Sequence, residues 1–338
     1  MARGPASGAC AVQRCDILGA TPYSDRADAL FRPFLGAAHR ATLGRVADWM
    51  REAGMVTHID PAANLVGHYA GLAADAPVLL IGSHIDSVND AGRYDGPLGV
   101  MLGIECVASL ADRGHRLPFA IEVIAFGDEE GSRFPASMLC SRAVAGTLDA
   151  LALDIVDRDG VTLAAALADF GLEVSAMTGA ARVPGSVLAY LEAHIEQGPL
   201  LEAEGLPLGV VTGIAAQRRL AVTMTGTPGH AGTNSMVLRR DALPAAAEAV
   251  LAIERIARAG KDDLVATVGR MTVAPGATNV VPGRVDFTVD VRAGSDADRD
   301  AATIAIGAVL EEIAAARGSA LAREETQALA ASPCDPAL

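Results

Sequence analysis

The chain has 338 residues, enough for two domains, and is 51% hydrophobic but only 4% aromatic, so Ala, Val, Leu and Ile must fill its core. Its 41 acidic residues against 27 basic ones give a net charge of −14, a surface that repels nucleic acid and anionic membranes and excludes both as expected partners. Cys10, Cys15, Cys106, Cys140 and Cys334 are odd in number and form no CxxC pair, which fits free thiols in a reducing compartment. With no apolar stretch before Cys15 and no run of membrane-spanning length, a cytoplasmic protein is expected.

The first helix expected from spacing runs from Ala38 to Ala53, with Leu43, Val46, Met50 and Ala53 on one face and Gly54 as its stop. A hairpin through Val56, Ile59, Leu65, Val66 and Tyr69 follows. Val78 to Ile81 reads as a buried strand, Leu98 to Leu110 as a helix and Phe119 to Phe126 as a second strand. A strand–helix–strand unit with short links predicts parallel strands. Ala143 to Phe170 looks helical and loop-rich, and Val187 to Ala193 is a further strand. Leu220 to Thr225, Val265 to Val273 and Arg284 to Arg292 read as strands, Leu243 to Ala259 and Asp296 to Arg317 as helices, with a last strand between Ala320 and Ala328. That order suggests a ferredoxin-like sandwich. In Arg284 to Arg292 the alternation puts Val285, Phe287, Val289 and Val291 on one side and Asp286, Thr288, Asp290 and Arg292 on the other.

Open α/β sheets form sites beyond the carboxyl ends of their parallel strands. His84 falls just past the first strand of the parallel unit, Asp95 just before its helix, and Glu129 and Glu130 just past its second strand. One unit therefore delivers four imidazole and carboxylate groups to one rim of the sheet, and His194 ends a further strand. These donors suit zinc, manganese or cobalt, and point to metal-assisted hydrolysis. Asp95, short and set between two ligand loops, is the natural bridge between two cations, and of Glu129 and Glu130 one is expected on a metal and the other in proton transfer.

In the second half, glycines flank His230 in Thr227-Pro228-Gly229-His230-Ala231-Gly232, a tight turn that can aim the imidazole. Ala277 to Gly283 is another turn, with one useful amide at Asn279. Spacing alone makes Arg292 the partner of Asp286 or Asp290, although its planar fork suits a substrate carboxylate as well.

In order along the chain, GSHIDSV, GRYDGPLGV, FGDEEGSRFP, EAHIEQGP, GTPGHAG, TNVVPG and DFTVDVR resemble the binuclear-metal amidohydrolases of the hydantoinase/carbamoylase type. These include N-carbamoyl-L-amino-acid hydrolase, β-ureidopropionase and allantoate amidohydrolase. The resemblance implies an α/β protein: a mixed, largely parallel sheet flanked by helices in a metallopeptidase-like catalytic domain (residues 1–210), with a ferredoxin-like lid and dimerisation domain inserted at 211–328. Residues 329–338 would start the return to the catalytic domain. It also implies two divalent cations. His84, Asp95 and His194 would hold one, with Asp95 bridging, and Asp95 and Glu130 the other. Glu129 would be the general base, Asp86 would orient His84, and His230 would stabilise the oxyanion across a homodimer. Gln197 would contact the ureido group, and Asn279 and Arg292 the substrate carboxylate.

Members of this family supply a further histidine to the metal held by Glu130, after the lid. No His follows His230 here, so the second cation site is expected to be weakened. The expected reaction is hydrolysis of the carbamoyl C–N bond of an N-carbamoyl amino acid or allantoate, with release of ammonia and carbon dioxide. Its alternatives are an aminoacylase or dipeptidase of the same clan, and a catalytically impaired homologue that acts as a binding or dimerisation partner.

Overall fold

The computed structural model describes residues 5–148, 153–261 and 263–338. The chain divides into two units, Met1–Glu204 and Gly205–Leu338, so the break falls somewhat before the expected boundary at residue 210.

The first unit opens with helix α1 (Gly8–Leu18), an element not expected from the sequence. Ser7 caps it by accepting the Cys10 amide at 3.2 Å, and Ala11, Cys15 and Leu18 recur at helical spacing and are buried. Helix α2 (Ala37–Glu52) buries Leu43, Val46, Ala47 and Met50 along one stripe. Strands β1 (Val56–Ile59) and β2 (Leu65–Tyr69) form the expected antiparallel hairpin. Strand β3 (Val78–His84) is longer than predicted, so His84 is its last residue and not the first of the following loop. Helix α3 (Pro97–Asp112) crosses to strand β4 (Ala120–Phe126), with Pro97 tolerated in its first turn. Two short helices, α4 (Leu139–Ala145) and α5 (Leu163–Asp169), occupy the stretch read as helical and loop-rich, of which residues 149–152 lie outside the described part. Strand β5 (Val187–Leu191) and helix α6 (Leu200–Glu204) complete the unit.

The sheet runs β1-β2-β4-β3-β5. Its first two pairings are antiparallel and its last two parallel, with β3 and β4 in register from Val78↔Ala120 to His84↔Phe126. The parallel half carries the candidate site. Every residue of β4 is buried because helices cover both faces of the sheet. Ile121, Val123 and Ala125 join a core with α1, α2 and α3, whereas Ile124 and Phe126 join another with Phe34, Leu139, Leu163 and Met177. Among the described residues no single helix is long and apolar enough to cross a membrane; a bent pair, 163–169 with 174–180, passes on length and composition, and its Leu163, Leu167 and Met177 are buried in the second core.

The second unit contains β6 (Gly213–Ile214), β7 (Ala216–Thr225), β8 (Gly229–His230), α7 (Ala242–Ala259), β9 (Val265–Thr267), β10 (Met271–Ala274), β11 (Val280–Val281), β12 (Arg284–Ala293), α8 (Asp296–Arg317), β13 (Ala320–Leu329) and β14 (Ser332–Pro333). The expected single strand Val265 to Val273 is two strands. Both pair with β12, but three residues (268–270) face two (288–289) between the paired stretches, so one extra residue bulges out and splits the ladder. With β9 and β10 sharing one position, the antiparallel sheet places the second, third, first and fourth strands side by side, which is the ferredoxin-like order. Val285, Phe287, Val289 and Val291 are buried under alanines of α7 and under Ile306 and Leu310 of α8, as the alternation predicts. At the end of the chain β14 pairs with β6, inside this second unit.

Candidate metal centre

Where β3, β4 and β5 end, the first unit brings seven of the expected site residues together. His84 closes β3, Asp95 lies two residues before α3, Glu129 and Glu130 follow β4, and His194 follows β5. The His84 and His194 rings stack with centroids 5.8 Å apart, and their Nε2 atoms lie 3.7 and 3.3 Å from the same oxygen of Asp95. One donor atom each from His84, Asp95 and His194 falls within 4.8 Å of the others, and the same holds for His84, Glu129 and Glu130. His84 thus stands between two ligand groups, a sharing that spacing did not predict.

Backbone contacts set which ring nitrogen is free. His84 Nδ1 faces the Asp86 carbonyl at 3.2 Å, and His194 Nδ1 faces the Ile195 carbonyl at 2.9 Å. Each Nδ1 is therefore placed to keep a proton, so Nε2, turned toward Asp95, is the atom that would exchange its proton for a cation. Asp86 is fully buried. Its two carboxylate oxygens accept the amides of Glu129 at 3.0 Å and Glu130 at 3.1 Å while its carbonyl meets His84, so one residue fixes both the turn after β4 and the imidazole that closes β3. Gln197, expected on the substrate, donates to both oxygens of Asp95 at 2.8 and 2.9 Å.

Two glycines permit this approach. Gly96 has φ +82°, and a Cβ there would lie 2.6 Å from the His84 ring. Gly99, in the first turn of α3, has no room for a Cβ between the Ala193 carbonyl and Ser83. Only residues without side chains let α3 bring Asp95 against two histidine-bearing strands.

The electrostatics call for positive charge. Burial lowers the His84 pKa, but hydrogen bonding to Asp86 and Asp95 and the charge of Glu129 outweigh it and raise the pKa to about 11. Glu129 is raised by burial and by Asp86 and Asp95, and Glu130 by burial and by Glu129. Asp95 is held low by its hydrogen bond with His84. Imidazoles, a carboxylate open to sharing and two further acids form a donor set that fits divalent cations of the zinc, manganese or cobalt kind.

The second unit presents its candidates on the surface. His230 pairs with Val280 across β8 and β11, and the Asn279 carbonyl accepts the Ala231 amide at 2.9 Å, so His230 and Asn279 share one small ribbon. His230 Nδ1 accepts the Gly232 amide at 3.1 Å, which puts its proton on the exposed Nε2. Arg292 lies apart from them on β12 and forks onto Asp290 at 3.1 and 3.2 Å, one of the two partners its spacing suggested.

Residues 80–332 match the family model described as peptidase family M20/M25/M40. An N-carbamoyl-L-amino acid amidohydrolase of Geobacillus stearothermophilus is 45% identical over 298 residues, covering 88% of this chain and 73% of that protein. Allantoate deiminase 2 of Glycine max is 38% identical over 347 residues, covering 96% of this chain and 71% of that protein. The crystal structure of a hydantoinase/carbamoylase family amidase from Burkholderia ambifaria matches with a TM-score of 0.88 at 37% identity, over 98% of this chain and 81% of that one. The chain belongs to the M20/M25/M40 peptidase family, and the relatives named here are an N-carbamoyl-L-amino acid amidohydrolase, an allantoate deiminase and a hydantoinase/carbamoylase family amidase.

Proposed function

We propose that this chain hydrolyses the carbamoyl C–N bond of a ureido acid, either allantoate or an N-carbamoyl amino acid, with two divalent cations at the centre described above. The observation that carries this reading is the meeting of His84, Asp95, His194, Glu129 and Glu130 where the parallel strands of a mixed sheet end. The activities of the carbamoylase and allantoate deiminase relatives support it. His84, Asp95 and His194 would hold one cation, and Asp95 with Glu130 the other. Bound there, the cations would polarise the substrate carbonyl and ease deprotonation of water.

Glu129 is the proton carrier. Burial and neighbouring acids raise its pKa, so it accepts a proton from water more readily than an ordinary glutamate and returns it to the leaving nitrogen. Asp86 keeps it in place through the Glu129 and Glu130 amides. His230, protonated on Nε2, donates to the developing oxyanion. Gln197 steadies Asp95 and meets the ureido group, and Asn279 and Arg292 take the substrate carboxylate. For an N-carbamoyl amino acid, water and substrate give the amine, carbon dioxide and ammonia.

The proposed assembly is a homodimer through the second unit. The test loads the protein with zinc, manganese or cobalt and follows ammonia release from allantoate and from N-carbamoyl amino acids, with N-acetyl amino acids as the control. Ammonia release is expected; metal-loaded protein that cleaves only the acetyl compounds would replace this reading with an aminoacylase. Mixing His230→Ala chains with Glu129→Gln chains should restore part of the activity, and no rescue would remove the shared site.

A further inference from the structure

Beside the ligands, a second set of contacts ties the same three strands together without touching the cluster. Ser83, which precedes His84 and is buried, donates its hydroxyl to Glu192 Oε1 at 2.5 Å. Tyr190 donates to the other oxygen, Oε2, at 2.6 Å, and also approaches the Gly82 carbonyl at 3.2 Å. The Tyr190 ring packs edge-on against Phe126, the last residue of β4, with centroids 6.1 Å apart. Glu192 stands two residues before His194. The ends of β3, β4 and β5 therefore meet at one Tyr–Glu–Ser group, and each strand delivers a ligand one to four residues later.

We propose that Glu192 is a positioning residue for the metal centre: its carboxylate, gripped by Ser83 and Tyr190, fixes the spacing between His84 and His194. The inference rests on the reading of His84, Asp95 and His194 as metal ligands. Charge-assisted O–H···O bonds are short and directional, so a carboxylate accepting two of them holds two strand ends at a set separation. That separation matters here because both imidazoles turn toward one oxygen of Asp95. Gly99 closes the third side, where α3 packs on Ser83 and on the Ala193 carbonyl. A displacement of either strand end moves the histidine pair directly, since His84 follows Ser83 and His194 stands two residues after Glu192. Glutamine at 192 keeps the shape but offers one oxygen in place of two, so one hydroxyl loses its acceptor.

The experiment titrates the metal-free protein with cobalt(II), reads affinity and the visible d–d spectrum, and records thermal unfolding of the metal-free form. Glu192→Gln should weaken the tighter cobalt site about 10- to 100-fold and alter its spectrum, while metal-free unfolding stays close to wild type. Ser83→Ala and Tyr190→Phe, which each remove one donor, should give smaller losses in the same direction and cover the case of a Glu192 variant that does not fold. Wild-type affinity and spectrum in the variants would overturn the positioning role. A wild-type protein that takes up no cobalt would instead overturn the metal centre itself.

Discussion

In the first unit, acids and imidazoles from four separate segments converge where parallel strands end, and buried Asp86 fixes two of those segments at once. In the second unit the charged residues alternate along antiparallel strands, face outward and pair with near neighbours, as Arg292 does with Asp290 and Arg284 with Asp286. The first arrangement is preorganised: its hydrogen bonds span distant parts of the chain and its pKa values are displaced. The second is adaptable, because an exposed ion pair contributes little and can be exchanged for a ligand at small cost. The proposed roles divide along the same line: metal ligands and base would sit in the preorganised unit, and the substrate-carboxylate groups among the exchangeable pairs of the other.

That contrast can be broken most sharply at Glu129. Glu129→Gln should lower turnover by about 10²- to 10⁴-fold with metal content unchanged, as measured by steady-state rates and elemental analysis. Loss of metal instead would interchange the roles of Glu129 and Glu130. Arg292→Ala should weaken binding of carboxylate-bearing substrates by about 1.5–3 kcal/mol and leave thermal unfolding unaltered. An unchanged Michaelis constant would leave Arg292 as the partner of Asp290 and nothing more.

Stability sharpens the same comparison. His39 is fully buried in the first unit, and burial, then Arg32, lowers its pKa from 6.5 to about 3. Its folded pKa lies below its unfolded one, so its contribution is complete above about pH 6.5 and is lost as pH falls toward about 3. Between pH 7 and pH 5 the wild type should lose about 2 kcal/mol more than His39→Gln in urea unfolding. Equal losses would show that the ring charges freely. The smallest effect is expected in the second unit, where Asp241 caps α7 by accepting the Leu243 amide at 3.1 Å. Asp241→Ala should cost about 1 kcal/mol by denaturant unfolding and leave metal affinity as it was. A shift in metal affinity would tie this cap to the other unit's site.

Much of the site was legible in order and type. A buried strand followed by His84, a helix preceded by Asp95 and a strand followed by Glu129 and Glu130 follow from apolar runs and their ends, although β3 itself runs on to include His84. The alternation of β12 told inward from outward residues correctly. The split of Val265 to Val273 was not legible, because a bulge depends on the partner strand. Gln197 was expected on the substrate and lies on Asp95, a contact between residues 102 positions apart.

Taken alone, the sequence determined the order of the longer elements from α2 onward, the parallel pairing of β3 with β4 and the chemical character of the ligands, because hydrophobic periodicity and residue type are local properties. Tertiary structure alone decided that His84 stands between two ligand groups, that Asp86 anchors the Glu129–Glu130 turn, and that Glu192 grips Ser83. Each of these contacts joins segments whose separation along the chain carries no periodic signal, and their geometry exists only once the sheet has brought the strand ends side by side.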